Sequence, residues 1–587
     1  LRIPVYATPF TAALFAAKRL SEPGAPDIPV NVVPLGSRFN MGPFDVELAG
    51  TCLLEAGAGT GKTRTITHRI AYGIAKGYFA ANRIMALTYT NRAAGELRAR
   101  LRGLGIPGVS VKTFHAAALS QLDYFWPQYA GVPAPNVLES KAKMLSEVSS
   151  KLKINLDTTA IRELAAEIEW RKFSMLSLAE YADRVSTRPK VAGLSAAKNL
   201  EIQAAYESAK IAAQRIDWED VLVLTLGLLR AEPLALAHVQ QQYRFYTVDE
   251  YQDISPLQHA LLELWLGEHT ELCVVGDPNQ TIYSFTGATS EYLQSFADRY
   301  ENAKVVQLTR NYRSTQQVVA LANRLTAESH MEPLESQGDI GFAPSVREFA
   351  TVADEANSIA SEIKELIAAG VRASQIAVLY RINSQSEAIE NALSTQGIGY
   401  QVRGGERFFA RPEIQAAMRS IRAESLIDTG KSLFESVSEI CRTHGWQAMP
   451  PNDVNANLER WEALNSLISI VEELPAGSTL VEFAKELDER QRSQHEPIKE
   501  AVTLSTIHAA KGLEWQSVFV SGVSEGYLPI GFAKTDREVY EEQRLLYVAL
   551  TRARRDLAIS WAKRDAVGLR DREPSRFIAL LRPGNRS

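Results

Sequence analysis

The sequence predicts an α/β protein with two cores of parallel β-sheet, each carrying a mostly helical insertion. From about residue 52 onward, short apolar or β-branched runs alternate with amphipathic stretches, as in parallel sheets whose strands are joined by helices. Two long stretches, residues 116–241 and 415–500, interrupt this alternation with patterns typical of helices. A chain of 587 residues also exceeds what one hydrophobic core usually holds, so several domains are expected.

The predicted strands are short apolar runs that end at turn-forming or polar residues. They are residues 52–54, 84–88, 245–248, 272–275, 304–308, 376–380 and 517–520. Within the first insertion, the spacing of apolar residues predicts helices over residues 161–172 and 200–213.

Residues 56–63 are Ala-Gly-Ala-Gly-Thr-Gly-Lys-Thr and lie between a predicted strand and a predicted helix. Glycines leave backbone N–H groups open to an anion at a helix N-terminus, so this segment predicts a phosphate loop. In such a loop Lys62 reaches the β- and γ-phosphates and Thr63 ligates Mg²⁺. Ala56 replaces the usual first glycine, and a flexible glycine-rich turn is the alternative. The predicted nucleotide-binding residues of this segment are Ala56, Gly57, Ala58, Gly59, Thr60, Gly61, Lys62, Thr63 and Arg64.

The strand predicted at residues 245–248 ends in two adjacent carboxylates, Asp249 and Glu250. Magnesium-dependent hydrolysis uses such a pair, because Asp249 can bind the metal through water and Glu250 can orient and deprotonate the attacking water. Acidic pairs at strand ends are common in other proteins, but this pair follows a predicted phosphate loop. The combination therefore favours nucleotide hydrolysis.

Further candidates lie later in the chain. Gln280 could sense the γ-phosphate, and the nearby rings of Tyr283 and Phe285 could stack on single-stranded bases or simply fill core. Arg313 and Arg552 could deliver positive charge to the γ-phosphate, and the alternative is that they are surface arginines.

The order of these motifs resembles that of the superfamily 1 DNA helicases of the UvrD/PcrA/Rep type, over about residues 50–580. Ten collinear segments carry the resemblance. They are residues 56–63 (AGAGTGKT), 87–94 (LTYTNRAA), 113–115 (TFH), 249–253 (DEYQD), 276–288 (GDPNQTIYSFTGA), 311–314 (NYRS), 379–386 (LYRINSQS), 404–411 (GGERFFAR), 506–514 (TIHAAKGLE) and 542–553 (EQRLLYVALTRA).

The resemblance implies two RecA-like cores and an ATP-dependent 3′–5′ single-stranded DNA translocase and helicase in DNA repair or replication. ATP and Mg²⁺ would be its cofactors, with Tyr312 stacked on adenine and Glu514 at the ribose. The residues implied around the phosphates and the metal are Lys62, Thr63, Asp249, Glu250, Gln280, Arg313 and Arg552. The residues implied along the DNA are Tyr89, Phe114, His115, Tyr283 and Phe285 in the first core, and Arg381, Asn383 and His508 in the second.

The resemblance also implies the domain limits. Residues 1–49 are an atypical N-terminal segment, 50–115 and 242–288 core 1A, 116–241 insertion 1B, 289–414 and 501–587 core 2A, and 415–500 a short insertion 2B. The expected partners are single-stranded DNA, junctions of single- and double-stranded DNA, and repair proteins. No membrane partner is expected, because no run of about 18 apolar residues occurs. A monomer or weak dimer in the bacterial cytoplasm, associated with the nucleoid, is expected.

The sequence departs from the family pattern at several positions. Tyr89 stands where Phe is usual, and Phe285-Thr286 replaces Trp-Arg, which gives a smaller stacking surface and one positive charge fewer. The 415–500 insertion is short for a 2B domain. Residues 31–50 contain no Gln, although the family carries a Gln-containing adenine-recognition motif before the phosphate loop. This last departure predicts weak selectivity for adenine.

Residues 1–48 resemble an internal piece of a ribonuclease J-type metallo-β-lactamase protein, which suggests a fusion or a chimeric N-terminus. No His precedes His68, so the metal site of that family is absent from the segment and nuclease activity is not expected. The competing function is a DNA-binding protein whose ATPase is impaired by the missing adenine motif. A net charge of −5 does not indicate nucleic-acid binding, but a local basic cleft can lie on an acidic protein.

Overall fold

The computed structural model describes residues 50–188, 190–403, 412–425, 430–447, 477–493, 500–564 and 571–582, and residues 464, 467–468, 470–471 and 474. This part forms two compact units. The first holds residues 50–55, Lys62–Gly276 and Tyr283–Val306, and the second holds Ala56–Gly61, Asp277–Ile282 and the described residues from Gln307 onward. The ribonuclease J-like segment (residues 1–48) and the family segment at residues 404–411 lie outside the described residues.

A six-stranded sheet organises the first unit, with spatial order β3-β2-β4-β5-β1-β6. Its strands are β1 (Cys52–Ala56), β2 (Ile84–Thr88), β3 (Ser110–Thr113), β4 (Phe245–Val248), β5 (Leu272–Gly276) and β6 (Lys304–Leu308). The pairs β1–β5, β2–β3, β2–β4 and β4–β5 are parallel. The five strands predicted in this region are confirmed, and β3 is an additional one. Strands β1, β2 and β5 are buried at every position, as expected for a sheet covered on both faces.

Three of the helices beside this sheet begin at polar caps. The side chains of Thr90, Thr113 and Ser255 accept hydrogen bonds from the backbone N–H groups of the first helical turns that follow them. The helices are Lys62–Ala75, Asn91–Gly103, Phe114–Ala130, Pro256–Leu266, Glu291–Gln294 and Phe296–Arg299.

The stretch between β3 and β4 is mostly helical, as predicted. Its later helices are Lys141–Lys151, Thr158–Phe173, Leu178–Arg184, Ala196–Ala212, Trp218–Ala231 and Pro233–Gln242. The predicted helices at residues 161–172 and 200–213 are confirmed, although the second ends one residue earlier. A separate small core, which includes Leu164, Ile168 and Ile202, packs helices of this stretch against one another, the two predicted helices among them. In the described residues no single helix is long and apolar enough to cross a membrane, and the one pair that passes jointly on length and composition, Trp218–Ala231 with Pro233–Gln242, is bent by 107°.

A second six-stranded sheet, parallel throughout, organises the second unit in the order β7-β12-β11-β8-β10-β9. Its strands are β7 (Ser345–Thr351), β8 (Ile376–Tyr380), β9 (Tyr400–Arg403), β10 (Val502–Thr506), β11 (Trp515–Val520) and β12 (Ala553–Arg564). The two predicted strands, residues 376–380 and 517–520, are confirmed. Helices of this unit are Gln316–Leu325, Val352–Ala368, Ser386–Thr395, Pro412–Glu424, Leu433–Thr443, Leu480–Ser493, Asp536–Leu550 and Arg576–Leu581.

Candidate nucleotide and DNA sites

The phosphate loop leads from the end of β1 directly into the helix Lys62–Ala75. Gly59 and Gly61 have φ angles of 71° and 88°, in the left-handed region that glycine adopts without strain. The loop therefore presents backbone at a helix N-terminus, where N–H groups and the helix dipole favour a phosphate.

The loop residues that belong to the second unit lie close to the segment containing Asn311 and Tyr312. The Asn311 side-chain amide donates to the Ala58 carbonyl at 2.7 Å, and the Tyr312 backbone N–H donates to the Gly59 carbonyl at 2.9 Å. A Cβ built at Gly59 would lie 2.5 Å from the Asn311 amide nitrogen, which explains why a residue without a side chain is required there.

In the first unit, the structure brings together the two residues predicted as magnesium ligands. The Thr63 hydroxyl donates to Asp249 Oδ2 at 3.2 Å. Asp249 is 5% exposed, and burial together with the neighbouring Glu250 raises its pKa to about 7, while Lys62 lowers it. A hydroxyl and a carboxylate fit Mg²⁺, which prefers oxygen ligands and keeps several positions for water and phosphate. The described residues contain no group of three or more His, Cys, Asp or Glu side chains suited to a metal, so protein ligands alone would not complete the shell.

Glu250 follows Asp249 in a left-handed backbone conformation, with φ 54° and ψ 44°. This conformation is uncommon for a residue other than glycine and is found at functional sites. The Gln252 side chain donates a hydrogen bond to Glu250 Oε2, and Gln252 itself is fully buried. The contact fixes the position of the predicted general base.

In the second unit, Gln280 and Arg552, both predicted near the γ-phosphate, lie close together. Gln280 donates to Asp277 Oδ2 at 2.7 Å, and its side-chain oxygen lies 3.5 Å from an Arg552 guanidinium nitrogen. The Lys511 ammonium donates to the Gln280 backbone carbonyl at 2.6 Å. Arg552 is 2% exposed and also donates to the Val548 carbonyl, which excludes the alternative of a surface arginine.

Arg313 and Glu514, predicted at the γ-phosphate and the ribose, form an ion pair with Nε and Oε2 2.6 Å apart. Arg313 also donates to the Thr551 carbonyl at 3.2 Å. The predicted adenine-stacking residue, Tyr312, has an exposed side chain. All three residues belong to the second unit.

Three of the predicted DNA-binding aromatic residues form one cluster in the first unit. The Tyr89 and Tyr283 rings are stacked, with centroids 5.4 Å apart, and Phe285 meets Tyr283 edge-on at 6.1 Å. Phe285 is 55% exposed, so it does not fill the core.

The other two predicted residues, Phe114 and His115, have different surroundings. Phe114 is buried and stacks on Trp265 with centroids 6.0 Å apart, so its ring belongs to the core and offers no free face to a base. His115 lies between Phe173 and Trp218, with edge contacts at 5.9 and 6.2 Å. Burial and the nearby Lys141 lower the pKa of His115 to about 4.

Trp218, about half exposed, is a candidate DNA contact that the sequence analysis missed. It begins the helix Trp218–Ala231, directly after the N-cap Asp217. Its position beside His115 could not be deduced from the sequence.

The predicted DNA contacts of the second unit lie at the carboxyl ends of β8 and β10. Arg381 forms a two-pronged ion pair with Glu542, with distances of 2.9–3.2 Å. Asn383 is exposed at the start of a short 3-10 helix. Burial and the positive charges of Arg381 and Lys511 lower the pKa of His508 to about 3.

Two parallel-sheet units and a phosphate loop followed by a strand-end carboxylate pair define the class of P-loop nucleotide hydrolases. Comparison with known proteins narrows this class. Residues 44–301 match the UvrD/REP helicase N-terminal domain, and residues 306–449 and 422–564 match the UvrD-like helicase C-terminal domain.

Relatives cover most of the chain. It is 42% identical to the ATP-dependent DNA helicase UvrD2 of Mycobacterium tuberculosis, over 91% of this chain and 80% of that protein. It is 30% identical to the ATP-dependent DNA helicase PcrA of Bacillus subtilis, over 91% and 84% of the two chains. DNA helicase II of Haemophilus influenzae is 29% identical over 91% and 85%. The chain belongs to the UvrD-like helicase family and is an ATP-dependent DNA helicase.

Proposed function

We propose that the protein is a 3′–5′ translocase on single-stranded DNA that separates strands during DNA repair or replication, with Mg²⁺ held beside the bound nucleotide. The proximity of Thr63 and Asp249, which are distant in sequence and lie 3.2 Å apart, carries the proposal, because the two side chains together would suit Mg²⁺ next to Glu250. The direction of movement and the role in repair rest on the family resemblance alone.

The chemistry follows from the positions of the chain's own residues. The loop N–H groups and Lys62 bind the phosphates of ATP. Mg²⁺, when bound, neutralises charge on the phosphate oxygens. Glu250 orients the attacking water and accepts its proton. Arg313 and Arg552 stabilise the charge that develops on the γ-phosphate. Gln280 senses whether the γ-phosphate is present.

Movement along DNA requires residues that bind and release bases. The exposed ring of Phe285 supports base stacking, and Asn383 supplies an exposed polar group. We further propose that the substrates include junctions of single- and double-stranded DNA, that repair proteins are partners, and that the chain acts as a monomer or weak dimer in the cytoplasm, near the nucleoid.

The decisive measurement is steady-state ATP hydrolysis with and without single-stranded DNA, in the natural protein and in Glu250→Gln. We expect strong stimulation by DNA in the first and none in the second, since the variant lacks the proton acceptor. Glu268→Gln, an exposed carboxylate on the same unit, is the matched control and should behave like the natural protein.

The direction of movement along DNA is tested with duplexes that carry either a 3′ or a 5′ single-stranded tail. Preferential unwinding of the 3′-tailed duplex is expected, and preference for the 5′ tail would contradict the proposal. Oligonucleotide binding without any hydrolysis would instead favour the competing function, a DNA-binding protein with an impaired ATPase.

A further inference from the structure

A cavity of about 350 Å³ opens at the carboxyl ends of β8 and β11, within the second unit. Three segments line it: the start of the helix Val352–Ala368, residues 384–391, and residues 521–527. In α/β folds, ligands bind in crevices outside the carboxyl ends of the strands, and this volume lies in the range of about 300–1,000 Å³ typical of small-ligand sites. None of the residues assigned above to ATP or DNA lines it.

The cavity contains a buried hydroxyl that needs a partner. Ser521, which follows the last residue of β11, is 7% exposed, and its Oγ has no hydrogen-bond partner in the described part of the chain. Buried polar groups in proteins are nearly always hydrogen-bonded, because an unsatisfied one is unfavourable. A ligand that offers a hydrogen bond at this point would therefore be stabilised.

A buried carboxyl lies beside it. Glu355 is 4% exposed, and its Oε1 accepts hydrogen bonds from the Gly522 backbone N–H at 2.9 Å and from the Ser560 hydroxyl at 2.5 Å. Burial raises the pKa of Glu355. Glu387 adds a second carboxyl, and no Lys or Arg is among the described lining residues. This charge pattern disfavours phosphate and favours groups that donate hydrogen bonds.

The lining residues of the cavity favour an aromatic ligand. Ala356, Ala388 and Ile389 provide an apolar wall, and the Tyr527 ring provides an aromatic one. The Arg572 guanidinium lies 3.6 Å from the centroid of the Tyr527 ring and holds it in place. A planar heterocycle with amino groups matches both the walls and the carboxyl-lined floor.

We propose that this cavity binds one base of the single-stranded DNA and prefers bases with an exocyclic amino group, which would donate to Glu355, over thymine, which has none. The inference rests on the proposed function, since Asn383, an expected DNA contact, directly precedes the lining residue Ser384. Adenine, cytosine and guanine all carry such an amino group.

Two variants test the base pocket. Ala388→Leu fills it from the wall, and Ser521→Ala removes only the hydroxyl. Ser394→Leu adds the same side chain on the same helix, at an exposed position outside the cavity, and is the matched control. Circular dichroism and melting temperature check that each variant folds.

Binding of oligo-dC and oligo-dT is measured by fluorescence anisotropy, without ATP. We expect the natural protein and Ser394→Leu to bind oligo-dC about five-fold more tightly, the effect of one good hydrogen bond. The preference should disappear in Ala388→Leu, and Ser521→Ala, which removes a hydroxyl that any bound base could pair with, should weaken the binding of both oligonucleotides. Equal binding of the two oligonucleotides by the natural protein, or a preference that persists in Ala388→Leu, would overturn the inference. An ATPase that ignores all DNA while the binding preference remains would contradict the proposed function and leave the base pocket standing.

Discussion

Asn311 links the phosphate loop to the turn that carries Arg313. Its side-chain amide donates to the Ala58 carbonyl at 2.7 Å, while its side-chain oxygen accepts from the backbone N–H groups of Arg313 at 2.9 Å and Ser314 at 2.8 Å. Asn311 is 1% exposed, so water does not compete for these bonds. One side chain therefore sets the distance between the phosphate-binding backbone and the predicted arginine finger.

Asn311→Asp separates the two halves of this link. The side-chain oxygen that accepts from Arg313 and Ser314 is kept, so the turn should keep its shape. An oxygen replaces the amide nitrogen, however, and faces the Ala58 carbonyl. We expect kcat for ATP hydrolysis to fall at least about ten-fold, equivalent to about 1.4 kcal/mol, together with a lower melting temperature, because the new buried oxygen has no donor. Ser314→Ala, which removes a buried hydrogen bond to the Ala553 carbonyl, is the control and should affect stability more than kcat. A natural kcat in Asn311→Asp would show that the link does not position Arg313.

Lys62→Ala should abolish ATP hydrolysis and leave weak DNA binding intact. Lys62 is the first residue of the helix after the phosphate loop, where its ammonium can reach the phosphates. Lys76→Ala, an exposed lysine just beyond the end of the same helix, should hydrolyse ATP normally. Turnover in Lys62→Ala, measured by phosphate release, would contradict the assignment of the site.

Phe285→Ala should reduce the stimulation of ATP hydrolysis by single-stranded DNA and spare the basal rate. The ring is largely exposed beside Tyr283, and a stacked base contributes about 1–3 kcal/mol. Half-saturating DNA concentration and maximal stimulation are the quantities to measure. Phe342→Ala removes a ring that is 72% exposed in the second unit, and it should leave both quantities unchanged. If Phe285→Ala behaves like Phe342→Ala, the ring at position 285 is not a stacking surface.

Lys172→Met should strongly destabilise the first unit. The Lys172 ammonium is buried, 2.7 Å from Asp217 and 2.6 Å from Asp220. Loss of the Lys172 charge leaves the two buried carboxylates with less compensation, and breaking a buried ion pair costs about 3–5 kcal/mol. The neighbouring Lys210 reduces this cost, because it also contacts Asp217 and Asp220. Urea unfolding measures the change. Lys431→Met breaks an exposed ion pair with Glu439 and should have little effect.

The partly exposed strand β6 was predicted and the buried strand β10 was missed, but most of the strands predicted from sequence are buried on both faces. β8, with Ile376–Tyr380 fully buried, is the clearest example. The missed strand β7 alternates partly buried and exposed residues and lies at the sheet edge, so Ser345–Thr351 gives no continuous apolar run. β3 is short, and its alternate residues are only partly buried. Edge position depends on the order of strands in space, which local sequence does not encode.

The candidate site shows the same limit. Motif order was enough to bring Thr63 and Asp249 together, because each follows a strand and the carboxyl ends of parallel strands lie at one edge of a sheet, whereas the pairing of Gln280 with Arg552 came from the family resemblance. The direction of a ring at a helix start was not predictable. Phe114 turns into the core, whereas Trp218 turns outward, and only the packing of neighbouring helices decides between the two.

His508 should make the stability of the second unit sensitive to acid. Burial and the cations Arg381 and Lys511 lower its pKa from 6.5 to about 3, so it stays neutral in the folded protein while the unfolded chain binds a proton below about pH 6.5. Stability is therefore lost as the pH falls from about 6.5 towards 3, by about 1.4 kcal/mol at about pH 5.5. His508→Gln removes the titrating group, so its melting temperature should fall less than that of the natural protein between about pH 7.5 and 5.5. His115→Gln provides an independent test of the same effect in the first unit, where the pKa of His115 is lowered to about 4. An unchanged pH dependence in His508→Gln would mean that the imidazole is solvated or protonated in the folded state.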